Sequence, residues 1–165
     1  MPILDPNAID FVSRSPDQTR RLGMRLGALL RKGDVICLQG DLGAGKTTFT
    51  QGIAQGWATS DDVSSPTFVI VNTYRRPDES KLFHLDCYRI DSPAEAEELD
   101  LIAMLAEGPL VIEWADRIKP VLPADHLWIM LNYMDEEQRQ LQFRAHGAHY
   151  EALLQAFRKS AFGGD

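Results

Sequence analysis

Val35-Ile36-Cys37-Leu38-Gln39-Gly40-Asp41-Leu42-Gly43-Ala44-Gly45-Lys46-Thr47-Thr48-Phe49 decides the fold of this chain. Its middle fits G-x-x-x-x-G-K-[ST], a loop whose backbone N–H groups wrap the phosphates of a nucleotide. The apolar run before it reads as a buried strand. Phe49, Ile53 and Trp57 follow at four-residue spacing and give the next segment one apolar helical face. The glycines fall where a strand-to-helix turn needs positive φ and no Cβ. A nucleoside triphosphate site is the expectation, with ATP and Mg2+ as its ligands. Amides from Asp41 and Leu42 through Gly43, Ala44 and Gly45 to Lys46 and Thr47 would cradle the β-phosphate at the positive end of a helix. Lys46 would bridge the β- and γ-phosphates, and the Thr47 hydroxyl would reach Mg2+. Thr48 reads as an α-phosphate contact or as packing.

Working outward, strands and helices alternate with hairpins among them. Ser15-Pro16-Asp17 reads as a helix start, the helix running to about Lys32 with a stop at Gly33. After Val35–Gln39 and the loop, the second helix runs to about Ala58. Phe68–Tyr74 and Lys81–Asp86 read as a hairpin around Arg76-Pro77-Asp78-Glu79. Ser92 and Glu95 stand in capping-box spacing before a helix to about Glu107, with a break near Asp100. Leu110–Glu113 is a short apolar run of the kind that is covered on both faces. His126–Tyr133 and Gln140–Ala145 form a terminal hairpin, and Ala148–Ala161 a closing amphipathic helix. The pattern predicts one α/β domain over residues 1–165, P-loop NTPase-like, with a mixed, partly parallel sheet flanked by helices.

Phosphoryl transfer also needs an acid for the metal and a group that positions the attacking water. Asp86 ends Leu82-Phe83-His84-Leu85, and Glu113 ends Leu110-Val111-Ile112. Periodicity does not decide between them. The drier strand before Glu113 favours it for the metal and leaves Asp86 for the water. Ser65-Pro66-Thr67 reads equally as a γ-phosphate-sensing switch, with Thr67 at the chemistry, or as a proline-stiffened turn. His84 has no metal-spaced partner and reads as packing. Trp57 and Trp128 read as core, and Trp114 either packs or lines the site.

Composition excludes several classes. A net charge of −7 argues against direct nucleic-acid binding, which draws most of its affinity from phosphate neutralisation. No apolar stretch reaches a membrane-spanning length, and the Met1-Pro2-Ile3-Leu4-Asp5 start lacks the marks of a secretory signal. Two widely separated cysteines suggest neither a disulfide framework nor a zinc site, which suits a cytoplasmic location. Asn132-Tyr133-Met134-Asp135 lacks the lysine of the guanine-reading N-K-x-D pattern. No L-S-G-G-Q stretch and no arginine-rich lid are present, which argues against transporter ATPases and small-molecule kinases.

Four ordered blocks resemble one family. They are the loop Gly40–Phe49, Ser65-Pro66-Thr67-Phe68, His84-Leu85-Asp86-Cys87-Tyr88-Arg89 and Ile112-Glu113-Trp114. Together they resemble the TsaE (YjeE) family of small bacterial ATPases in the tRNA threonylcarbamoyladenosine pathway, over roughly residues 11–145. Cys87 stands where that family more commonly has leucine. The resemblance implies that Glu113 contributes to Mg2+ binding, that Asp86 is needed for hydrolysis, and that Trp114 lies close to the nucleotide. It also implies that Ser15–Asp17 touches the base or ribose and that Arg139 reaches the nucleotide. The implied partner is a two-protein threonylcarbamoyl-transferase complex of the TsaB/TsaD type, which modifies adenosine 37 of tRNAs reading A-starting codons. By the same resemblance, ATP hydrolysis resets that complex, and tRNA is met only through the partners.

Overall fold

A computed structural model describes residues 5–41, 43–61 and 71–163. Among these, seven strands form one sheet in the order β1-β7-β6-β2-β5-β4-β3. They are β1 (Ala8–Ser13), β2 (Val35–Gln39), β3 (Val71–Arg75), β4 (Lys81–Asp86), β5 (Leu110–Glu113), β6 (His126–Tyr133) and β7 (Arg139–His146). The centre is parallel: β2 pairs with both β5 and β6, and β4 pairs with β5. Antiparallel pairs, β3–β4 on one side and β6–β7–β1 on the other, complete the mixed sheet.

Burial on both faces explains the parallel centre. In β2, Ile36 and Leu38 enter one core with Leu26, Phe49, Ile53 and Phe157, while Val35 and Cys37 enter a second with Leu85, Leu110 and Ile118. The first core is closed by α1 (Pro16–Gly27), α2 (Lys46–Gly56) and α5 (Ala148–Phe162). The second is closed by α3 (Pro93–Glu97), α4 (Leu101–Leu105) and a 3-10 segment, Ala115–Val121. Trp57 and Trp128 are core residues, as the sequence suggested. Both cysteines are buried free thiols, and burial pushes Cys37 upward and Cys87 up to about 12. Among the described residues no helix is long and apolar enough to cross a membrane.

The structure departs from the sequence reading in three places. α1 ends at Gly27, not near Lys32; Leu29 and Leu30 continue the apolar spacing in tight turns bonded to Leu26 and Gly27 carbonyls. The Ser92–Glu95 capping box does not form, because Ser92 accepts the Glu95 amide through its carbonyl and its side chain makes no cap bond. The break expected near Asp100 is present: two short helices are separated where Asp100 turns left-handed (φ 50°) and caps Ala103. β1 and the 3-10 segment were not foreseen. The start of the Phe68–Tyr74 strand falls outside the described residues, which enter β3 at Val71.

α1 and α2 touch through glycines. A Cβ on Gly27 would stand 2.0 Å from the Ile53 carbonyl oxygen, and one on Gly52 2.1 Å from that of Arg20. Alanine at Gly27 would gain roughly 1 kcal/mol of helix propensity, but the backbone contact leaves it no room. Gly27→Ala is expected to destabilise the protein by about 2–3 kcal/mol, lowering the thermal midpoint by roughly 5–10 °C. An unchanged midpoint would mean that the helices separate freely.

Candidate functional site

One end of the sheet collects the chemistry. β2 delivers its chain to Gly40, whose absent Cβ leaves room for the Leu131 carbonyl oxygen, 2.4 Å from where that Cβ would stand. Gly43 (φ 79°) and Gly45 (φ 96°) take the left-handed conformation that the loop requires. Gly45 leads into α2 with no side-chain cap, so the first amides of that helix are left for an acceptor from outside. The macrodipole makes that end attractive to an anion.

Lys46 is the first residue of α2 and is 5% exposed. Its ammonium donates to the carbonyl oxygens of Gly40 and Asp41 and lies 4.4 Å over the Trp114 ring. Burial pulls its pKa down, and the surrounding acids Glu113, Asp41, Asp116 and Asp86 oppose that. Trp114 takes a left-handed backbone (φ 58°), and its ring also packs against Tyr88 at 4.9 Å.

The two acids foreseen in the sequence come together. Glu113 ends β5 and pairs in register with Leu38 on one side and Asp86 on the other. It is 3% exposed, and its Oε2 lies 2.5 Å from His84 Nε2. Asp86 is half-buried, and its Oδ1 accepts the Tyr88 amide at 3.0 Å. Burial raises the Asp86 pKa; the Tyr88 amide counters this, and the negative charge of Glu113 adds to the rise. Among the described residues no three His, Cys, Asp or Glu side chains form a metal cage. The Glu113 carboxylate and the Thr47 hydroxyl are hard oxygen donors, the kind that Mg2+ takes while completing its shell with phosphates and waters. Glu113 and Thr47 are the residues that would hold it.

Arg139 begins β7, opposite Ser13 of β1 and Tyr133 of β6. Its Nε donates to the Gly43 carbonyl at 3.1 Å, and its guanidinium also meets the carbonyls of Asp135 and Gln138. The structure therefore sets Arg139 against the phosphate loop. Ser15 spends its hydroxyl oxygen on the Gln18 amide as the cap of α1, at the same end of the sheet. Thr47 and Thr48 are half-buried in the first turn of α2. Leu42 and Thr67 lie outside the described residues. The sequence reading gave His84 to packing and missed its bond to Glu113. The signal was its i, i+2 spacing from Asp86, which sets both side chains on one face of β4.

The raised Asp86 pKa has a consequence for stability. A carboxyl raised by folding is harder to ionise in the native state, so ionisation weakens the fold as pH climbs through the folded pKa. Below the unfolded pKa both states are neutral and the penalty vanishes. Asp86→Asn keeps the acceptor for the Tyr88 amide without the charge. The ligand-free variant should melt above the unsubstituted protein near pH 7–8, with the gain fading towards pH 4. An equal or lower midpoint at neutral pH would contradict this.

A strand, a glycine-rich loop with a buried lysine, and a helix N-terminus beside two strand-end acids define the P-loop class of α/β domain. Comparison with known proteins narrows the class. Residues 13–141 match the family model described as "Threonylcarbamoyl adenosine biosynthesis protein TsaE". The chain is 37% identical over 142 residues to the Bacillus subtilis tRNA threonylcarbamoyladenosine biosynthesis protein TsaE, covering 86% of this chain and 88% of that one. It is 39% identical over 148 residues to the Nostoc protein of the same name, covering 84% and 90%. The crystal structure of Bacillus subtilis YdiB superposes with a TM-score of 0.79 at 30% identity, over 96% of this chain and 98% of that one. This chain belongs to the TsaE family of tRNA threonylcarbamoyladenosine biosynthesis proteins.

Proposed function

We propose that the protein binds ATP with Mg2+ at the Gly40–Thr47 loop and hydrolyses it to drive turnover of a threonylcarbamoyl-transferase pair acting on adenosine 37 of tRNA. The observation that carries this reading is the convergence of Lys46, Glu113 and Asp86 at one loop and helix N-terminus. Loop amides and Lys46 take the phosphates, and Glu113 and Thr47 hold the metal, which neutralises phosphate charge when bound. Asp86, half-buried beside Glu113, orients the attacking water. Trp114 walls the site on the Lys46 side, Arg139 and Ser15 border the nucleotide from the β1–β7 edge, and Thr67 answers to the γ-phosphate.

Hydrolysis by the isolated protein is slow, because the Arg139 guanidinium is occupied by three carbonyls and is not free to neutralise transition-state charge. With a net charge of −7, the protein meets tRNA through its partners, in the cytoplasm. The test is ATP turnover with and without the transferase pair, scoring tRNA modification over many cycles. Modification that stalls after one round without this protein, and continues with it, is the expected result. ADP formation that depends strictly on an added small acceptor would instead make the protein a kinase.

A further inference from the structure

We infer that His84 is a positioning residue for the metal-binding carboxylate, fixing one oxygen of Glu113 so that the other faces Mg2+. The inference rests on the reading of the site given above. His84 is 1% exposed, and each of its ring nitrogens meets a side chain. Nε2 is 2.5 Å from Glu113 Oε2, and Nδ1 is 3.2 Å from the Tyr74 hydroxyl. A neutral imidazole donates from one nitrogen and accepts at the other, and an ionised carboxylate only accepts. Nε2 therefore carries the proton towards Glu113, and Nδ1 accepts from Tyr74. A directed chain results, from Tyr74 through His84 to Glu113.

Packing alone does not call for this arrangement. Burying an imidazole costs free energy that an apolar ring of similar size would avoid, unless its polar atoms are satisfied. Here the satisfying group is the acid that the site needs in one orientation. A carboxylate held before the cation arrives does not lose rotamer freedom on binding it. Partners of this kind typically govern metal affinity by 10–100-fold when removed.

The experiment titrates ATP by calorimetry into the unsubstituted protein, His84→Phe and His84→Gln, in graded Mg2+ and in excess EDTA. His84→Phe should need roughly 10- to 100-fold more Mg2+ for the same uptake, with metal-free ATP affinity unchanged. His84→Gln can still present an amide N–H near the position of Nε2 and should recover most of the metal response. If His84→Phe does not fold, Tyr74→Phe carries the test, with a smaller shift in the same direction. A folded His84→Phe protein with ordinary Mg2+ dependence overturns the positioning role alone. So does an equal loss with and without metal, which would mark a purely structural residue. ATP uptake by the unsubstituted protein that ignores Mg2+ removes the metal reading of Glu113, and this inference with it.

Discussion

Asp86→Ala protein should take up ATP with an affinity within a few-fold of the unsubstituted chain and hydrolyse it roughly 10²–10⁴-fold more slowly. The separation follows from where the groups stand. In the proposed reading phosphate binding falls to the loop amides and Lys46, on the β2–α2 connection, whereas Asp86 ends β4, two strands away across β5. Its Oδ1 is engaged by the Tyr88 amide, which leaves Oδ2 for a water. Removing a half-buried carboxylate whose pKa burial has raised lowers a desolvation cost but also removes the acceptor of the Tyr88 amide, so the melting midpoint of the variant is read alongside turnover. Single-turnover hydrolysis and calorimetry on one preparation check both halves. Turnover at the unsubstituted rate would take Asp86 out of the chemistry, and lost binding would place it among the phosphate contacts.

Lys46→Ala should lose about 3 kcal/mol of ATP affinity, on the order of a hundredfold, and with it all measurable hydrolysis. The ammonium is the cation nearest the loop in its interior, and it is already desolvated, so its attraction for phosphate is weakly screened. In the ligand-free state it is held by the Gly40 and Asp41 carbonyls and by the Trp114 ring. In the proposed function those contacts would exchange for phosphate oxygens when a nucleotide enters. Losing them in the variant frees two carbonyls at a solvent-facing loop and removes a buried charge, so the melting temperature should move little. Calorimetry against ATP·Mg2+ reads the affinity, and a loss under threefold would show that the amides suffice alone.

Much of this was written in local sequence. The loop was legible because its glycines, lysine and threonine must occupy fixed places relative to a strand and a helix. Glu113 and Asp86 were legible because each ends an apolar run, and apolar runs become the buried strands beside that loop. β1 was not legible: Ala8–Ser13 is an edge strand whose pairing with β7 bridges more than a hundred residues of chain. The overlong reading of α1 arose because the tight turns after Gly27 keep helical spacing of Leu29 and Leu30. Periodicity records which side faces inward, not which hydrogen bond closes each turn.

The sequence by itself determined the class of fold and picked out the loop and Lys46 that the proposed reading assigns to phosphate, since both depend on residue types within about a dozen positions of one another. Only the tertiary structure decided that His84 serves Glu113, that Arg139 closes over Gly43, and that Trp114 lies under Lys46. Those three contacts join residues 29, 96 and 68 positions apart. Nothing local fixes such distances; they are set by the strand order β7-β6-β2-β5-β4, which brings β4, β5 and the start of β7 to the same end of the sheet as the loop after β2.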